Sequence, residues 1–145
     1  MGTRADFYAG GTDPATMRWL GSIGWDGYPQ GIPVALFLPT SEGMWEATVQ
    51  VFLRDREDAT LPSDGWPWPW EDSRTTDYAY TWTDEGVRCS CFGQPWFDPT
   101  ADPADEEPHD GQKVPFPNMA HIQNIAWDKR SGLIVLGVEP ERKED

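Results

Sequence analysis

Positive charge is scarce in this chain. Eleven Lys and Arg stand against 25 Asp and Glu, for a formal net charge of −14. The cations are scattered from Arg4 to Lys143 with no cluster larger than a pair. Nucleic-acid surfaces are built from clustered Lys and Arg that displace counterions from phosphates, so direct binding to DNA, RNA or an anionic membrane is not expected. Long apolar runs are also missing: none approaches the roughly 20 residues needed to span a bilayer. No apolar core of a secretory signal is visible at the N-terminus, which makes the cytoplasm the expected compartment. Two cysteines, Cys89 and Cys91, are too few for a disulfide framework. The only histidines are His109 and His121. A Walker loop, a dinucleotide glycine fingerprint, a Gly-x-Ser-x-Gly elbow and a His-Glu-x-x-His helix are all lacking. No cofactor is expected, and the expected class is not an enzyme.

What the chain does contain is tryptophan. Hydrophobic residues make up only 38% and mean hydropathy is −0.64, yet nine tryptophans and 13% aromatics oppose a disordered reading. At 145 residues the chain fits one domain whose core is built on a few large rings. Residues 5–10 and 18–25 read as strands, the glycines of the second marking a bulge or a close backbone approach. A helix is predicted over 41–57: Thr40 or Ser41 caps it, and Trp45, Val49, Phe52 and Leu53 share one face. Arg54 and Arg56 fall near its C-terminal end, where the macrodipole favours cations. A short helix around 31–38 is weakened by Pro33. Residues 60–77 read as a loop. Tyr78, Tyr80 and Trp82 then alternate through a first hairpin, 77–83 and 87–92, turning at Asp84-Glu85-Gly86. Residues 93–118 form a proline-rich acidic connection, and a second hairpin runs from Ile122 to Val138. The expected architecture is one α+β domain over 1–138, with five or six mostly antiparallel strands, one main helix packed on one face, and a charged tail at 139–145.

Four groups of residues are candidates for function. Cys89-x-Cys91 places two thiols on one face of a strand, but lacks the usual paired-ligand spacing of zinc sites; the alternative is two small core residues. Trp66-Pro-Trp68-Pro-Trp70 favours polyproline II geometry, as an exposed stacking platform or as a cover for the edge of the sheet with its rings buried. Glu71, Asp72, Arg74 and Asp77 suit either acid–base chemistry or a hydrogen-bonded anchor in which Arg74 bridges Asp72 and Asp77. Asp98, Asp102, Asp105, Glu106, Glu107 and Asp110 do not follow the calcium-loop pattern. They form a solvated loop or present carboxylates to a basic partner.

The blocks Arg4 to Gly10, Trp19 to Pro29, Gly65 to Tyr80 and Arg130 to Gly137 resemble a family of small uncharacterised proteins from bacterial mobile elements, chiefly integrative and conjugative elements of proteobacteria. The resemblance implies context and carries over no functional residue: such elements encode small acidic proteins that disarm host defence, including anti-CRISPR and anti-restriction proteins. Charge, missing catalytic signatures and this context together lead to a non-enzymatic inhibitor of a basic host protein or nucleoprotein complex. Asp98, Asp102, Asp105, Glu106, Glu107, Asp110, Trp66, Trp68 and Trp70 are its candidate contact residues. The alternatives are a peptide- or carbohydrate-binding module on the three tryptophans, and a small enzyme using Asp72, Asp77 or His121.

Overall fold

The computed structural model describes residues 2–101 and 113–119. The hairpin predicted at 122–138 and the tail at 139–145 lie outside the described residues. Within them, strands β1 (Ala5–Ala9), β2 (Arg18–Ile23), β3 (Tyr78–Thr83) and β4 (Gly86–Cys91) form one sheet in the order β2-β1-β3-β4. The β1–β2 and β3–β4 pairs are antiparallel, while β1 and β3 run parallel at its centre. The class is therefore α+β, with four described strands in a mixed sheet where five or six mostly antiparallel ones were expected. Residues that alternate along β1 and β3 serve two different layers, and this positions everything else.

Helix α1 (Glu42–Arg54) covers one face. Ser41 caps it by accepting from the Met44 N–H at 3.2 Å, satisfying one of the donors that a helix start leaves unpaired. Trp45, Val49 and Leu53 are buried against Phe7, Ile23 and Tyr80. The Phe7 and Tyr80 rings stack at 5.4 Å across the parallel pair, and the Trp45 indole donates to the Tyr8 carbonyl at 2.8 Å. The helix stops at Arg54, short of the expected 57, because Arg56 turns away to clasp Asp58 at 2.7 Å. In place of a helix over 31–38 the chain makes two 3-10 turns, Pro29–Gly31 and Val34–Phe37, separated by Pro33.

Strand β2 carries a bulge. Phe7 pairs with Gly21 but Tyr8 pairs with Trp19, so Leu20 is the extra residue. Gly21 has a φ of +145°, and a Cβ there would lie 2.5 Å from Leu53 Cδ1 and 2.9 Å from the Thr60 carbonyl. Gly21→Ala is expected to destabilise the protein by about 1–3 kcal/mol through overpacking and backbone strain. Urea denaturation checks this, and an unchanged midpoint would contradict the packing described.

Candidate interaction surfaces

The other face of the sheet is covered by the tryptophan-rich loop. Thr60 ties its start to β2 through two backbone hydrogen bonds with Ser22, at 2.8 and 2.9 Å. Trp66 is fully buried with Tyr8, Met17, Trp19 and Phe116, and meets Trp19 edge-on at 5.3 Å. Trp68 and Trp70 are half-buried and stack on each other at 5.5 Å. Each indole N–H has an internal acceptor: Trp66 donates to the Trp70 carbonyl at 2.8 Å, Trp68 to Asp6 at 2.7 Å and Trp70 to Thr76 at 2.7 Å. The segment is thus a third layer on the face of the sheet, where a cover for its edge was expected, and Trp66 offers no accessible surface. The Arg4 guanidinium lies 5.9 and 5.3 Å from the Trp68 and Trp70 ring centres, so a cation of this chain already faces the half-buried pair.

Asp6 is the keystone of this layer. It is fully buried in β1, on the face opposite Phe7. Its carboxylate accepts from Ser22 at 2.6 Å, Trp68 at 2.7 Å and Ser73 at 2.7 Å. Ser73 is in turn 2.7 Å from the Tyr8 hydroxyl, and Ser22 accepts from the Trp19 indole at 3.0 Å. Burial holds the Asp6 carboxyl above its ordinary range, against the hydrogen bonds that oppose the shift. The sequence signal for this role is a charged residue inside an otherwise apolar strand, Ala-Asp-Phe-Tyr-Ala, since a buried carboxylate requires donors around it.

The remaining candidates separate. Arg74 pairs with Asp72 at 3.1 Å, but Asp77 pairs with Arg4 at 3.8 Å and accepts from its N–H at 2.9 Å. Arg74 therefore does not bridge Asp72 and Asp77 as expected: the second carboxylate belongs to β1's entry. Cys89 is buried opposite Tyr80, and Cys91 is half-buried opposite Tyr78. Burial pushes both thiols up. Among the described residues no group of three or more His, Cys, Asp or Glu is placed to hold a metal ion. Of the acidic segment only Asp98 is described; it accepts from the Thr100 N–H and hydroxyl at 2.9 and 2.7 Å. Asp102, Asp105, Glu106, Glu107, His109, Asp110 and His121 lie outside the described residues.

Charge is unevenly spent. Arg4, Arg18, Arg56, Arg74 and Arg88 are each ion-paired within the fold. Among the described residues, the side chains of Asp26, Asp55, Glu57, Glu71 and Asp84 make no hydrogen bond or ion pair, leaving their charge to solvent.

A second aromatic surface is not apparent from the sequence, where Trp25 stands only as the last residue of the strand expected over 18–25. Trp25 is 48% exposed and Tyr28 37% exposed on the turn after β2. Asp58 accepts from the Gly24 and Trp25 N–H groups at 2.9 Å each, and Arg56 donates to the Trp25 carbonyl at 2.8 Å. Burial alone would raise the Asp58 carboxyl, but the Arg56 hydrogen bond, these N–H groups and the Arg56 charge outweigh it and hold it below its ordinary range.

No protein-family model matches the chain, and no curated protein or solved structure matches it either. Among the described residues no helix is long and apolar enough to cross a membrane.

Proposed function

We propose that this protein is a non-enzymatic inhibitor that binds a basic, nucleic-acid-handling protein of a bacterial host, an anti-CRISPR-like activity being its most concrete form. The observation that carries the reading is the charge balance: a net −14, with five of the described arginines ion-paired to the chain's own carboxylates and unpaired carboxylates left at the surface. Such a surface attracts the same cationic grooves that hold nucleic acid. The Asp6 network supports a structural rather than a chemical use of its carboxylate, since Asp6, Ser22, Ser73 and Tyr8 are all buried. The alternative, a platform for peptide or carbohydrate, rests on the half-buried Trp68–Trp70 stack, which Arg4 already faces.

The test is capture from bacterial lysate on the immobilised chain at low and high salt. Enrichment of a nuclease or CRISPR complex that salt or added nucleic acid releases is the expected result; capture of no basic partner would overturn the reading. With that partner in hand, Asp102, Asp105, Glu106 and Glu107 should be replaced by Asn or Gln. Association is then expected to slow by about tenfold, with a shallower salt dependence, because steering by charge acts mainly on the on-rate. Stopped-flow or surface-resonance kinetics measure this. An unchanged on-rate moves the interface away from the acidic segment.

A further inference from the structure

We propose that the Trp25–Tyr28 turn is a contact site for an arginine side chain of a basic protein partner; this rests on the reading just given. The argument starts from how the turn is held. Beyond the Asp58 and Arg56 bonds, the Gly27 N–H donates to the Thr3 carbonyl at 2.8 Å, and the buried Tyr80 hydroxyl donates to the Gly27 carbonyl at 2.6 Å. The Gly31 N–H closes the far side onto the Tyr28 carbonyl at 2.8 Å. The backbone is therefore tied to the scaffold at its start and its centre and closed by a local turn at its end, while two large rings are left exposed.

Because the backbone beneath Trp25 is already held by the fold, less chain freedom is lost when a partner binds there. In the chain between these two aromatic residues is Asp26, a non-glycine residue with φ of +60°. Aspartate tolerates this left-handed conformation better than most residues, but glycine adopts it without strain. The carboxylate of Asp26 has no hydrogen bond or ion pair among the described residues. Nearby, the segment that supplies Arg56 and Asp58 also carries Asp55 and Glu57, both exposed and unpaired among the described residues. Arg56 itself is neutralised by Asp58, and Arg54 is the remaining cation on that segment. An aromatic face beside surplus carboxylates matches the guanidinium group, which stacks on rings and pairs with carboxylates at once; an ammonium does the first less well. Tryptophan and tyrosine anchors of this kind dominate protein interfaces.

The test uses the full chain, labelled with nitrogen-15, and a nona-arginine peptide as the probe at low salt. Indole N–H signals are followed by NMR, with Trp25→Ala assigning its own peak. The Trp25 signal is expected to shift most, and nona-lysine is expected to bind more weakly. Trp25→Ala should weaken nona-arginine about tenfold, and Asp26→Gly several-fold. Asp26→Gly relieves a strained φ, so its melting temperature should be equal or higher, which separates lost contact from lost folding. If both variants bind as the parent does, with shifts elsewhere, the site is wrong and the basic-partner reading stands. If the parent does not bind nona-arginine at all, both are overturned.

Discussion

Asp6→Ala is expected to cost about 3–5 kcal/mol, from the neutral donors it strands, a large share of a small domain's stability. The substitution leaves the Ser22 hydroxyl, the Trp68 indole and the Ser73 hydroxyl without the acceptor they share. Each stranded donor costs about 1–3 kcal/mol, less whatever the two hydroxyls recover by rotating. Asp6→Asn should cost less, because one oxygen remains for Ser22 and Trp68 while the amide donates to Ser73. Urea denaturation of the two variants gives the comparison. An Asp6→Ala protein within 1 kcal/mol of the parent, a margin set by the net worth of one hydrogen bond, about 1 kcal/mol, would show that the carboxylate does not anchor the loop.

The pH dependence carries a definite sign. Because burial raises the Asp6 carboxyl above its ordinary 3.8, the folded state takes up this proton before the unfolded chain does. The group's contribution is full below 3.8 and is lost as pH rises through the raised folded value. The stability difference between parent and Asp6→Asn should therefore move in the parent's favour as pH falls from neutral towards 3.8. Asp58 acts in the opposite sense. Its lowered carboxyl contributes above 3.8, and that contribution disappears as pH falls through the folded value. A difference with Asp6→Asn that moves against the parent on acidification would contradict the desolvation argument.

Trp66→Ala is expected to be comparably severe, at about 3–5 kcal/mol, since it removes a fully buried indole from between sheet and loop. It also deprives the Trp70 carbonyl of its donor and the Trp19 ring of its edge-on neighbour. The loop should loosen, and acrylamide should quench the remaining tryptophans more strongly. Trp70→Phe keeps most of a ring and loses one hydrogen bond to Thr76, so about 1 kcal/mol is expected. If Trp66→Ala melts with the parent, the loop is not the third layer described.

The local elements were legible because their signals are local. The alternation of Tyr78, Tyr80 and Trp82 places the hairpin, and Ser41 with Trp45, Val49 and Leu53 places the helix. The mixed sheet was not legible, since the parallel pairing of Ala5 with Tyr78 depends on contacts far apart in the chain. The same distance hid the use of the tryptophans. Burial of Trp66 follows from its size, but that the Trp68 indole meets a carboxylate of β1 cannot be read from the Trp-Pro repeat. The exposed Trp25 was hidden differently: its neighbours Asp26 and Gly27 look like loop punctuation, and only the fold shows that Asp58 and Tyr80 hydrogen-bond the turn's backbone.

The central parallel pair also dictates an order of assembly on the ribosome. Strands β1 and β2 emerge first and can pair at once, but the other edge of β1 stays open until β3 has been synthesised. An unpaired strand edge invites pairing with another chain. Nascent chains that crowd together in this interval repel one another through their shared negative charge, so the acidity of the chain also guards it while it is being made.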